Sequence, residues 1–212
     1  MVAKKNPKSA AKKSGAKPGA NPWEDHLTRK AKAQNYPARS VYKLEEIQNK
    51  FKIIKKNDQV LDLGCAPGSW LLYAAKQAGD QGRVFGIDLK AVEIPLPENV
   101  IVIQDDILNL EDGAFLERIK GVDSVISDMA PATTGRKDVD ALRSFELCSM
   151  ALQVADDFLA PNGNFVCKIF QGNEFNDFQK AVKLKFMTCK VFKPESCRKQ
   201  SKEIYIIAKG KR

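Results

Sequence analysis

A doubly wound α/β fold is predicted by three observations: a mostly parallel seven-stranded sheet with one antiparallel edge strand, and helices on both faces. Short Val/Ile/Leu-rich runs alternate with amphipathic segments, the signature of βα units around a buried parallel sheet. One run, Val60-Leu61-Asp62-Leu63, breaks into the turn Gly64-Cys65-Ala66-Pro67-Gly68-Ser69 and continues as the amphipathic Trp70–Lys76. That order is a strand, a tight loop and a helix N-terminus. Finally, the last two apolar runs have only a polar loop, Pro194 to Lys202, between them. Without a crossover helix they form a hairpin, which puts one strand antiparallel at an edge.

The elements follow in order. Residues 1–22 are rich in Lys, Ala, Gly, Pro and Ser and bury nothing, so they form a disordered basic tail; residues 23–212 form a single domain. A helix spans about 40–50, with Val41, Leu44 and Ile47 on its apolar face and Tyr42, Lys43 and Glu46 off it. Strands lie near 59–63, 83–88 and 100–104, and a fourth runs from Val122 to Asp128. A long helix over 139–159 stops at the turn Ala160-Pro161-Asn162-Gly163. A fifth strand, Asn164–Phe170, precedes a helix at 173–185 and the final strands at 187–193 and 203–208. No internal repeat is present.

The glycine loop indicates a ligand as well as a fold. Glycines let a ligand approach the backbone, and a helix N-terminus offers free N–H groups. The dinucleotide fingerprint G-x-G-x-x-G is absent, because Gly64 and Gly68 are spaced G-x-x-x-G with Pro67 between them. Proline has no N–H, which makes a poor diphosphate cradle, and no Gly-Lys-Ser/Thr follows to make a P-loop. The second strand ends in Asp88, about 20 residues past the glycines, where a carboxylate reaches ribose hydroxyls. The third runs into Asp105-Asp106. Acids at successive strand ends, where such sheets bind ligands, suit a nucleoside cofactor without phosphate. S-adenosylmethionine is such a cofactor, and the predicted fold is then a Rossmann-like methyltransferase fold. Asp62, Gly64, Gly68, Asp88 and Asp106 are the candidates to hold it. The alternative is an ordinary α/β turn with solvated acids.

Composition narrows the class. The chain has 212 residues, 43% of them hydrophobic, which suits one soluble domain. No apolar run approaches a membrane span, and the lysine-rich start lacks a signal peptide's apolar segment, so a cytoplasmic protein is expected. The five cysteines show no C-x-x-C pairing and read as reduced core residues. His26, the lone histidine, lies in a polar region, so no metal site is expected. The net charge of +9 is unevenly spread: +6 over 1–22, +4 over 23–58, −9 over 59–176 and +8 over 177–212. Two basic ends that meet on one face would make a phosphate-binding patch beside an acidic body.

Lys168 stands inside the apolar run Phe165–Phe170, where an unpaired lysine is costly. Asp128 ends the preceding strand and Glu203 opens the last one, so all three converge at the carboxyl edge of a doubly wound sheet, with Lys43 reaching them from the first helix. Such a cluster marks either a functional site or a structural ion-pair network. Methyl transfer to an alcohol needs the hydroxyl held in line and its proton taken up. A lysine oriented by carboxylates can hold that proton or stabilise the developing oxyanion.

Five segments carry a resemblance: Arg39–Ile47, Asp62–Trp70, Ser127-Asp128-Met129-Ala130-Pro131, Val166–Gly172 and Ser201–Ile206. Together they resemble the FtsJ/RrmJ family of ribose 2′-O-methyltransferases over nearly the whole chain from about Trp23. The resemblance implies a catalytic Lys-Asp-Lys-Glu tetrad at Lys43, Asp128, Lys168 and Glu203, with Lys168 as proton acceptor. It implies S-adenosylmethionine contacts at Gly68, Trp70, Asp88, Asp106 and Asp128. Cys65 and Ser69 stand where family members acting on large-subunit rRNA commonly have alanine and glycine, and 132–136 differs from the usual loop. The implied activity is 2′-O-methylation of a ribose in 23S rRNA, at the A-loop uridine of the large ribosomal subunit, by a monomer without an obligate protein partner. Methylation of a tRNA anticodon loop is an alternative within the family. A non-catalytic RNA-binding assembly factor is an alternative of another class.

Overall fold

The computed structural model describes residues 25–106, 113–198 and 200–212; the tail expected at 1–22 lies outside them. Thirteen elements follow one another: α1 (His26–Ala33), α2 (Val41–Phe51), β1 (Gln59–Leu63), α3 (Ser69–Ala78), β2 (Arg83–Asp88), β3 (Val100–Gln104), α4 (Gly113–Ile119), β4 (Val122–Ser127), α5 (Lys137–Phe158), β5 (Leu159–Phe170), α6 (Phe175–Lys185), β6 (Phe186–Phe192) and β7 (Glu203–Lys211).

The seven strands form one sheet in the order β3-β2-β1-β4-β5-β7-β6. Strands β1 to β5 run parallel, and β7 pairs antiparallel with both β5 and β6. The antiparallel hairpin therefore lies at one edge, as the missing crossover helix predicts. Within it β7, the strand running against the others, stands one place in, and the outermost β6 is parallel to the majority. This insertion places β7 directly beside β5, with Lys168 opposite Tyr205 and Phe170 opposite Glu203.

Strand alternation splits the core in two. Leu61, Val125, Phe165 and Ile206 face α4, α5 and α6. Val60, Ile126, Val166 and Ile207 face α1, α2 and α3. Each fully buried aliphatic side chain contributes roughly 1.5–3 kcal/mol. Lys168, two residues beyond Val166, points to the α1–α3 face and is 6% exposed.

Two helices escape the sequence reading. Helix α1 is basic and shows a single buried residue, Ala31; an N-cap bond from the Thr28 amide to Asp25 Oδ1 (2.8 Å) starts it. Its presence corrects the expectation for Tyr42, which is buried rather than off the apolar face. The Lys30 ammonium lies 4.3 Å from its ring centroid, and its hydroxyl donates to Gln34 Oε1 at 2.9 Å. Helix α4 covers β2 through Phe115, edge-to-face with Phe85.

Candidate active site

The loop after β1 is fixed by its glycines and its hydrogen bonds. Gly64 has φ +74°, and a Cβ there would meet Met129 Cγ at 2.3 Å. Gly68, the N-cap of α3, has φ +104°. Both conformations favour glycine. The Gly64 amide donates to Ile87 O (2.9 Å), which ties the loop to β2.

Beside this loop lies a cleft of about 390 Å³ at the carboxyl ends of β1 to β4. Asp88, Asp105, Asp106 and Asp128 line it against a single cation, Lys90, while Leu63, Ile87 and Leu147 supply apolar wall. Asp88 is oriented by two amide bonds, from Ala66 to Oδ2 and from Lys90 to Oδ1, each 2.8 Å. A carboxylate oxygen so bonded keeps a further lone pair for a ligand hydroxyl. The cleft's charge suits a cationic, phosphate-free nucleoside and repels a diphosphate.

Asp62 lies beneath the loop, 1% exposed, and neither of its carboxylate oxygens accepts a hydrogen bond among the described residues. Burial, with the nearby Asp128 and Asp88 charges, pushes its carboxyl well above the ordinary range. An orphaned buried carboxylate calls for a missing donor, and a ligand seated above the loop would supply one. Gly68 and Trp70 do not line the cleft. Gly68 faces Val92 and Ile94. Trp70 is 3% exposed, and its indole N–H donates to Ser40 O at 2.9 Å.

The four ionisable residues expected to converge do so. The Lys168 ammonium sits 2.8 Å from Asp128 Oδ1 and also donates to the Asp128 carbonyl. Lys43 Nζ is 3.0 Å from Glu203 Oε2 and 3.9 Å from Asp128 Oδ1. All four side chains are between 6% and 17% exposed. Asp128 is shared: it carries the cluster and lines the cleft. Tyr205 is the member that the sequence reading missed, and its hydroxyl donates to Asp128 Oδ1 at 2.6 Å. Burial, followed by the Asp128 and Glu203 charges, holds its phenol well above the ordinary range, so it remains a proton donor. Strand alternation from Glu203 carried the signal, since i and i+2 share a face.

The N-terminal segment is clasped onto this assembly. Ser69 Oγ accepts from the Ala38 amide (2.8 Å) and donates to the Ala38 carbonyl (3.0 Å). Glu46 accepts from the Glu195 and Ser196 amides at 2.6 and 2.9 Å, and Arg39 bridges Asp25 and the Ser196 carbonyl. The two basic parts of the chain thus meet here. Some of their cations are committed elsewhere: Lys209 donates to Phe51 O (3.0 Å) and Lys211 to Leu159 O (2.8 Å). All five cysteines are free thiols and His26 is exposed. Among the described residues, no group of three or more His, Cys, Asp or Glu side chains is placed to hold a metal ion, and no helix is long and apolar enough to cross a membrane.

The doubly wound sheet, the acidic cleft and the buried lysine–carboxylate cluster define the class, an α/β enzyme with its cleft at the carboxyl edge of the sheet. Within that class the chain belongs to the FtsJ-like methyltransferase family, whose pattern matches residues 36–211. A Desulforapulum autotrophicum protein named ribosomal RNA large subunit methyltransferase E is 60% identical over 196 residues, 92% of this chain and 97% of its own. A Desulfatibacillum aliphaticivorans protein of the same name is 53% identical over 197 residues, covering 92% and 95%. Among solved structures, a Plasmodium falciparum protein described as a ribosomal RNA methyltransferase superposes with a TM-score of 0.73 at 31% identity, over 83% of this chain and 98% of its own.

Proposed function

We propose that the protein transfers a methyl group from S-adenosylmethionine to a ribose 2′-hydroxyl of 23S rRNA, at the A-loop uridine of the large ribosomal subunit. It acts in the cytoplasm as a monomer. The observation that carries this reading is Asp128, which lines the acidic cleft and binds Lys168 at 2.8 Å, so a donor site and a proton-handling site share one residue. The names and high identity of the bacterial relatives favour rRNA as the acceptor.

When bound, the cofactor would supply an electrophilic methyl on a positively charged sulfonium. Asp88 orients ribose hydroxyls, and the surplus of carboxylates complements the positive charge. Lys168 faces the acceptor hydroxyl. Its nitrogen takes up the proton that the attacking hydroxyl releases, and the ammonium so formed is held by Asp128. Asp128 fixes that nitrogen, and Tyr205 fixes Asp128. The Lys43–Glu203 pair closes the far side of the cluster. Burial on all sides keeps water from competing for the lysine.

Mapping of 2′-O-methyl positions in rRNA from cells with and without this protein tests the reading. Loss of one methyl at the A-loop uridine is the expected result. An unchanged 23S map overturns it, and labelling of bulk tRNA instead of large subunits selects the anticodon-loop alternative.

A further inference from the structure

A second cavity, of about 330 Å³, opens on the other side of the cluster. It is bounded by the start of α5, by the turn between β5 and α6, and by Lys202, the residue before Glu203. Successive residues of an extended chain face opposite ways. Glu203 turns toward Lys43 on the α2 face, so Lys202 turns toward α5. The cavity begins where the β5–β7 ladder ends, at the Gln171 amide donating to Lys202 O (3.1 Å).

Its walls are fixed. The Phe170 amide donates to Ser144 Oγ of α5 at 3.0 Å. A Cβ at Gly172 would meet Ala141 Cβ at 2.5 Å, so the turn lies against the helix. Apart from Asp138, which pairs with Arg136 at 3.3 Å, its polar lining is uncommitted. Among the described residues, the side chains of Lys137, Gln171, Asn173, Glu174 and Lys202 make no hydrogen bond or ion pair. None of them serves the core.

The donor set indicates the ligand class. Two amides, each with a donor and an acceptor, can pair with the polar edge of a nucleobase. Glu174 can accept from an exocyclic amino group. Leu142, 45% exposed, offers an apolar contact for the base. The lysines and carboxylates nearly cancel, so the cavity is no polyanion cradle; Lys137 and Lys202 suffice for the phosphates on either side of one base. The volume falls at the lower end of the roughly 300–1,000 Å³ usual for small-molecule sites, which suits one base and little more.

We propose that this cavity is an RNA subsite that holds the base of a nucleotide flanking the methylated ribose. The inference rests on the functional reading above. It assigns base recognition to 137–142 and 171–174, across the cluster from the donor cleft. The acceptor strand crosses the carboxyl edge of the sheet with one ribose at Lys168 and a neighbouring base turned out beside Lys202.

The test compares the wild-type chain with the double variant Gln171→Ala/Asn173→Ala, whose residues are exposed and outside the core. Labelled S-adenosylmethionine is transferred to large subunits from cells lacking the enzyme. The subunit concentration giving half-maximal rate is expected to rise roughly tenfold in the variant, as for lost base-edge contacts. The rate at saturating subunits and the thermal shift with S-adenosylmethionine should remain as in the wild type. An unchanged half-saturation overturns the subsite. If the wild type itself labels no subunits, the functional reading fails instead, and cross-linking then decides the subsite. Ultraviolet cross-linking of total cellular RNA to the wild-type chain, read by peptide mass spectrometry, should attach nucleotides to 137–142 or 171–174. Attachment confined to other peptides overturns the subsite.

Discussion

The donor cleft and the lysine cluster share Asp128 and treat charge in opposite ways. In the cleft, four carboxylates face a single lining cation, Lys90. In the cluster, two lysines and two carboxylates neutralise one another and are nearly closed off from water. The first arrangement attracts a cationic ligand; the second holds charges at fixed positions at a high desolvation cost. On the proposed function, binding and chemistry fall to different electrostatic designs that share Asp128, and they should fail separately.

The largest separation is expected from Lys168→Ala. Turnover should fall by about 10²- to 10⁴-fold, the range for a lost proton-handling group. Affinity for S-adenosylmethionine should stay within twofold by calorimetry; retention of full activity would remove Lys168 from the mechanism. Asp88→Asn should show the reverse pattern. Loss of a charged hydrogen-bond acceptor costs roughly 1.5–3 kcal/mol, so cofactor affinity should drop ten- to hundredfold while saturating cofactor restores most of the rate. An equal loss of rate at saturation would merge the two regions into one. Tyr205→Phe sharpens the cluster side: Asp128 keeps its lysines and loses a neutral donor, and a rate loss of about tenfold without a change in cofactor affinity is expected.

The smallest effect concerns Asp62. Its folded carboxyl holds a proton to higher pH than the unfolded chain does. The folded state therefore loses stability as pH rises from 3.8 through the raised value, and the full penalty applies above it. Asp62→Asn removes that dependence. The melting temperature of the ligand-free protein should rise by about 2–4 °C for each kcal/mol relieved, measured by calorimetry across the pH range. A lower melting temperature would show Asp62 to be a structural acceptor.

The comparison also separates what was legible in the sequence from what was not. The cleft is local: a strand, a glycine loop, a helix and an acid about 20 residues on are all consecutive, so Gly64, Asp88 and Asp106 could be placed by pattern. The cluster is not local. Lys168 was conspicuous as a charge in an apolar strand, but its neighbours depend on β7 entering between β5 and β6, and no periodicity encodes that insertion. Tyr205, opposite Lys168 in the ladder, was overlooked although it shares a strand face with Glu203. Helix α1 was missed because its residues are mostly polar and basic; its burial of Tyr42 is decided by tertiary contact. The fold places Trp70 against Ser40 and Gly68 beside Val92, neighbours that the strand-loop-helix pattern does not encode.

Ser69 has a consequence for how the glycine loop is held. Its paired bonds to the Ala38 peptide join the loop that starts α3 to the segment that leads into α2. The glycine loop and the arm carrying Lys43 are thereby tied together. Ala38 stands five residues before Lys43, so two hydrogen bonds and a short stretch of chain set the spacing between the cleft and the lysine cluster.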